Sequence, residues 1–199
     1  SMIDTADGAL GETHSLLLRM RELAVQSANG TLNDDDRDAL DAEYQQLEAE
    51  IDRIDSNTTF AGTSLFDGNA KSFQVGSGSG GGNSLSHTFA SVGTADILAD
   101  IDHDGDGVPG TTPVQAADLK TPLAAQATIT MLDDAIKTVS TERGKLGALS
   151  NRLSSTISNL DQVRVNLSAS QGRIQDADFA EETSNLAKGQ ILQQAATAM

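Results

Sequence analysis

Apolar residues recur along this chain with alternating steps of three and four. The first run is Ile3, Ala6, Leu10, Thr13, Leu17, Met20 and Ala24, the spacing that gathers side chains on one face of an α-helix. An adjoining row, Leu16, Met20 and Leu23, widens that face and predicts two helical neighbours rather than one. The helix is predicted over 4–28, roughly 38 Å at 1.5 Å per residue, with Asn29-Gly30 as a left-handed stop. Asn33 then has the character of an N-cap, and Asp34, Asp35 and Asp36 fall in the first turn, where carboxylates meet the positive helix end. Capping accounts for this acidic run better than a metal site does. Leu40, Tyr44, Leu47, Ile51 and Ile54 follow in 4-3-4-3 steps, while Asp41, Glu43, Glu48, Glu50 and Asp52 occupy the other faces and are expected in solvent. The short link predicts that the two helices run antiparallel.

Beyond Asn57 the helical period is lost. Residues 57–76, rich in Thr, Phe and Gly and carrying the turn signal Asp67-Gly68, are expected to form turns with brief strand pairing, including a strand near Phe73-Gln74-Val75. Residues 77–84 are low in complexity and expected to be flexible. A strand followed by a short helix is expected within 85–100. All three prolines, Pro109, Pro113 and Pro122, fall in one irregular segment. A third helix is predicted from Leu123, with Ile129, Leu132, Ile136, Val139, Leu146, Leu149, Leu153, Ile157, Leu160, Val163, Leu167 and Ile174 as its seam. Its stretch 126–170 would span roughly 68 Å. That length exceeds helix one, so we expect the native chain to continue before Ile3. Unusual exposure of Val163, Leu167 and Ile174 is expected in consequence. The pattern as a whole predicts a mainly α fold: an elongated antiparallel bundle of three long helices with a small β and irregular region.

Composition agrees with this pattern. Aromatic residues make up only 3% of the 199-residue chain and Trp is absent, which suits a long Leu/Ile/Val/Ala seam better than a globular core. There is no Cys, so disulfides, thiolate metal sites and Cys nucleophiles are excluded. A net charge of −16 argues against nucleic acid as a partner, and no apolar run approaches the roughly 18 residues of a membrane span. The charge is uneven: residues 1–70 carry net −11 and 126–199 net −1. Complementary charge is therefore expected where the C-terminal helix packs beside the acidic N-terminal pair, each exposed ion pair contributing little.

Chemistry-bearing motifs are few. Asp102, Asp104 and Asp106 with Gly107 match the front of a calcium loop, but position twelve is Pro113 rather than a bidentate Glu. The loop is either a weak calcium site or a solvated acidic turn. His14, His87 and His103 are scattered without metal-ligand spacing, and neither an HExxH helix nor a G-x-S-x-G turn occurs. No enzyme activity and no cofactor are expected.

Several longer motifs resemble one family. Arg19-Met-Arg-Glu-Leu-Ala-Val-Gln-Ser-Ala-Asn-Gly30, Asn57-Thr-Thr-Phe-Ala-Gly-Thr-Ser-Leu-Phe-Asp-Gly68, Phe73-Gln-Val-Gly76, Leu146-Gly-Ala-Leu-Ser-Asn-Arg152 and Ile174-Gln-Asp-Ala-Asp-Phe-Ala180 with Gln190-Ile-Leu-Gln-Gln194 are similar to bacterial flagellin. The resemblance covers roughly 3–76 and 125–199. It implies a discontinuous helical rod domain from 3–76 plus 125–178, a variable inserted segment at 77–124, and the start of a truncated inner-tube helix at 179–199. It also implies a structural, extracellular subunit of the flagellar filament, which partners with other flagellin subunits through non-closing contacts between identical rods. Recognition by Toll-like receptor 5 is implied at the matching positions Arg19 and Leu23 on helix one and Glu43 on helix two. On the residues alone Arg19 and Glu43 are solvated faces, and Leu23 is either an exposed anchor or ordinary core. An export chaperone on the C-terminal segment is implied only for a full-length chain. A calcium-dependent extracellular adhesion module is the rival reading, and it rests on 102–107 alone.

Overall fold

The computed structural model describes residues 1–76, 78, 82–98 and 118–198. It divides into two units, Ser1–Ser150 and Asn151–Met199. Two long helices open the first unit, α1 (Met2–Ser27) and α2 (Asp34–Asn57). Four short strands follow, β1 (Thr59–Phe60), β2 (Thr63–Ser64), β3 (Ala70–Gln74) and β4 (Ser84–Thr88), then a single turn of helix, α3 (Thr94–Ile97). The last element, α4 (Pro122–Thr197), begins in this unit.

The seam expected on α1 is the buried one: Ala6, Leu10, Thr13, Leu17, Met20 and Ala24 are each no more than 2% exposed. Leu23 from the second row is buried with them, and Ile3 and Leu16 pack at the margin. Tyr44 and Ile51 of α2 close one side, and Ala125, Leu132, Ala135, Val139 and Leu146 of α4 close the other. Two ion pairs fix the direction of α4 on α1. Arg143 Nε donates to Asp7 Oδ1 at 2.9 Å, and Arg21 Nε to Asp133 Oδ1 at 2.6 Å, so the helices run antiparallel. Arg143–Asp7 has the polarity that the charge distribution predicts, a C-terminal base on an N-terminal acid, and Arg21–Asp133 has the reverse. Both are about half exposed, worth at most ~1 kcal/mol each, so the apolar seam dominates.

Helix starts follow their sequence signals. Asn33 Oδ1 accepts from Asp36 N at 2.7 Å. Thr121 caps α4, its hydroxyl accepting from Ala124 N at 3.1 Å, and Pro122 takes the first helical position, where no N–H is required. The β1–β2 hairpin turns through Ala61 (φ 52°) and Gly62 (φ 81°), two successive left-handed residues that match the twist of the strands. β3 and β4 pair antiparallel with Lys71 opposite His87 and Phe73 opposite Leu85.

Two expectations need correction. The first is the end of α1. Gly30 is not left-handed; among the described residues positive φ occurs only at Ala61, Gly62 and Gly68. A side chain caps the helix instead. Arg37 Nη1 donates to Ser27 O at 2.8 Å and Nη2 to Asn29 O at 3.0 Å, which satisfies carbonyls at the helix end that have no intrahelical partner.

The second is Asp41, expected in solvent but only 3% exposed. It accepts from Leu119 N at 2.9 Å and from Gln45 Nε2 at 2.8 Å. Ser27 Oγ in turn donates to Leu119 O. One buried polar node therefore joins the end of α1, the start of α2 and the segment that leads into α4.

Asp52 stays exposed, as expected, yet it has partners. Its Oδ1 accepts from Thr94 N at 2.8 Å and Thr94 Oγ1 at 2.9 Å, while Asp55 accepts from Val92 N at 2.8 Å. The two carboxylates hold the start of α3 while Val92, Ile97 and Leu98 are buried.

The second unit is helical. α4 continues through 178–179, where the sequence reading put a domain boundary, and ends at Thr197. Its apolar positions are exposed, Val163 by 45%, Leu167 by 65% and Ile174 by 66%, as expected for these three residues.

Arg37→Met is expected to lower the unfolding free energy by ~1–3 kcal/mol, because it strips hydrogen bonds from the buried Ser27 carbonyl and from the Asn29 carbonyl. Urea unfolding followed by circular dichroism measures this; a loss under ~0.5 kcal/mol contradicts the role given to the node.

Candidate interaction surface

Arg19 and Glu43 lie on facing sides of α1 and α2. Arg19 Nε and Nη2 both donate to Glu43 Oε1, at 3.0 and 2.8 Å, and Nη1 donates to Glu22 Oε2 at 3.1 Å. The hydrogen bond to Glu43 raises the guanidinium's basicity first, with Glu22 adding to it. The side chains of Arg19 and Glu43 are 49% and 45% exposed. They form a rigid charged bridge across the helix pair, open to solvent. Leu23 does not share this exposure: it is 1% exposed within the core, so of its two readings the structure places it in the packing. Leu18 and Val25 are the apolar residues that α1 exposes, by 43% and 49%.

Glu48 lies further along α2, half-buried beside Tyr44. Burial, with Asp52 and then Asp41 adding like charge, pushes its carboxyl up to about 7. The Tyr44 hydroxyl is buried without a hydrogen-bond partner, and burial likewise pushes it up. At the hairpin, His87 packs edge-on against Phe89 with ring centroids 4.9 Å apart. Its Nε2 is buried without a partner. Burial lowers its pKa, opposed by Glu142 and assisted by Lys145.

The calcium candidates Asp102, Asp104 and Asp106 lie outside the described residues. Among the described residues no group of three or more His, Asp or Glu is placed to hold a metal ion, and no described helix is long and apolar enough to cross a membrane. The sequence missed the roles of Arg37 and Asp41 because each meets a backbone group of another segment, Ser27 O for Arg37 and Leu119 N for Asp41. The only available signal was that both fall within one helical turn of the apolar position Leu40.

Paired N-terminal helices closed by a C-terminal helix define a helical-bundle protein. Comparison with known proteins makes the class specific. Residues 1–71 match the bacterial flagellin N-terminal helical region, and 129–199 match the bacterial flagellin C-terminal helical region. The chain is 40% identical over 199 residues to a flagellin of Halalkalibacterium halodurans, covering all of this chain and 68% of that protein. To a Bacillus subtilis flagellin it is 37% identical, covering 72% of that protein. The crystal structure of Bacillus cereus flagellin matches with a TM-score of 0.64 at 35% identity, over 80% of this chain and 84% of that one. The chain belongs to the bacterial flagellin family. It is a structural subunit of the flagellar filament, an extracellular assembly for motility, and not an enzyme.

The titrating groups make stability depend on pH in opposite senses. Glu48, with its folded pKa above the ordinary 4.5, binds its proton more tightly when folded. Its contribution is complete below about 4.5 and is lost as pH rises through about 7. His87, held below 6.5, costs stability as pH falls beneath that value. Glu48→Gln is therefore expected to match the parent at pH 5 and exceed it at pH 8, by ~1–2 kcal/mol after allowance for solvent screening. Denaturant midpoints at the two pH values measure the difference; equal stabilities at both remove the assignment.

Proposed function

We propose that this chain assembles with copies of itself through heterologous, non-closing contacts, the geometry that propagates a helical filament instead of a closed ring. The observation that carries the proposal is the exposed apolar series on 151–198, where Leu167 and Ile174 are each about two-thirds exposed. Such a series on a soluble helix has the character of an interface left open. In this reading 3–76 and 125–178 form the discontinuous rod domain, 77–124 is the variable insert, and 179–199 belongs to the inner-tube helix. Export through the flagellar secretion apparatus, with a chaperone on the C-terminal segment of the full-length protein, belongs to the same reading. Carried in a filament-forming flagellin, Leu167→Glu with Ile174→Glu is expected to abolish sedimentable filaments at unchanged helicity. Filaments of normal yield contradict the proposal.

The same chain is proposed as a ligand of Toll-like receptor 5 through Arg19 and Glu43. The bridge between them is supported from beneath by the α1–α2 packing, in which Leu23 takes part, and it offers a preorganised charged surface of the kind that interface anchors use. Arg19→Ala and Glu43→Ala are each expected to weaken receptor activation by at least about five-fold, near the ~1 kcal/mol lower edge of an energetic anchor. Reporter-cell titration with both variants measures it, and signalling that matches the parent sinks the assignment.

A further inference from the structure

The link between α1 and α2 carries the chain's only Asn-Gly pair, Asn29-Gly30. Both residues are exposed. The pair makes no left-handed turn, so backbone geometry does not explain the glycine. Three features around it bear on its chemistry. The Gly30 N–H has no acceptor among the described residues, so that nitrogen is free. The Asn29 side-chain oxygen accepts from Thr31 N at 3.2 Å, which polarises the adjoining carbon. The Asn29 main-chain carbonyl accepts from Leu32 N at 3.4 Å and from the buried Arg37 at 3.0 Å, so a fixed cation sits on one of the two carbonyls that a cyclic intermediate would expose.

We propose that Asn29-Gly30 is a site of spontaneous covalent modification, deamidating to isoaspartate with Arg37 selecting that product. The Gly30 nitrogen gives its proton to solvent base and bonds to Asn29 Cγ. The charge that develops on Oδ1 is met by the Thr31 N–H. The Cγ–Nδ2 bond breaks and ammonia leaves with a proton returned from solvent, closing a five-membered succinimide. Water then adds to one ring carbonyl. Addition at the former main-chain carbonyl breaks its bond to the Gly30 nitrogen, which regains a proton, and leaves the chain running through Cβ and Cγ. The released α-carboxylate lies where Arg37 Nη2 already donates. A neutral hydrogen bond becomes a charge-assisted pair, roughly twice as strong. Arg37 thus favours attack at that carbon and holds the product, while addition at Cγ would give ordinary aspartate without this pairing. The net change is water in and ammonia out, with one negative charge added at the α1–α2 corner and one atom added to the main chain there.

The test is incubation of the whole chain at mildly alkaline pH, followed by peptide mapping and enzymatic methylation of isoaspartate. The reference is the same chain held unfolded in denaturant. The folded chain is expected to convert at Asn29 at least as fast as the unfolded one. Its isoaspartate-to-aspartate ratio is expected to be about five-fold higher, well below the hundred-fold of a fully buried oxyanion donor because the link is exposed. Gly30→Ala introduces a Cβ that meets nothing within 4 Å, so it should fold normally and slow the conversion by hindering the nitrogen. Arg37→Lys, which keeps the charge but loses the fork, should return the product ratio towards the unfolded value. If that variant does not fold, the comparison of folded with unfolded parent still decides. Protection of Asn29 in the folded chain, or a product ratio the same in both states, overturns the proposal.

Discussion

The first unit depends on α1 being covered from two sides. Its buried face runs from Ala6 to Ser27, and no single neighbouring helix covers a face made of two adjoining rows. Tyr44 and Ile51 of α2 supply one wall, and Leu132, Val139 and Leu146 of α4 supply the other. Truncating one of these large side chains to Ala would cost ~2–5 kcal/mol, more than an exposed ion pair can return. Arg21–Asp133 and Arg143–Asp7 therefore set direction and register rather than stability. The buried node at Ser27, Arg37, Asp41 and Leu119 closes one end of this arrangement. There the chain leaves one helix and enters the next, and backbone groups that no helix can pair internally are met by side chains.

Because the interior is held by apolar packing, surface chemistry is free to serve contacts with other molecules. The Arg19–Glu43 bridge spans α1 and α2 without entering the core. Leu18 and Val25 face outward on the same α1 whose other side is buried. A subunit that meets identical copies needs such a division, with a seam that sets its own fold and flanks that remain open. The second unit takes this further, since its apolar residues are exposed along a continuous helix. An isolated helix gains little from propensity alone, so contacts outside the unit would have to supply its lasting order.

What could be read from sequence follows the range of the interactions involved. The helices, the α1 seam, Asn33 as a cap and the strands within 57–76 were legible because each rests on local spacing or a single residue's backbone preference. Complementary charge between the chain ends was legible for Arg143–Asp7, since it needs only the sign of each segment. Arg37, Asp41 and Asp52 were not. Helical periodicity says nothing of what each binds: Asp41 meets Leu119 N, 78 residues away, Asp52 meets Thr94 N, 42 away, and Arg37 reaches back to the carbonyls that end α1. Asn29-Gly30 misled for a related reason: the dipeptide carries a strong local signal for a left-handed stop, and the carbonyls at that helix end are met by Arg37 instead. The proposed receptor positions came from motif resemblance alone; of them the structure leaves Arg19 and Glu43 exposed and Leu23 buried.

The central claim is that α1, α2 and the first part of α4 are one cooperative unit built on the α1 seam. Native-state hydrogen exchange tests it most directly. Amides of 10–24, 40–54 and 128–146 should exchange with one common free energy equal to that of global unfolding, while those of 151–198 exchange much faster. If α1 opens independently of α2 and α4, or if 151–198 is protected as strongly as the seam, the account is contradicted.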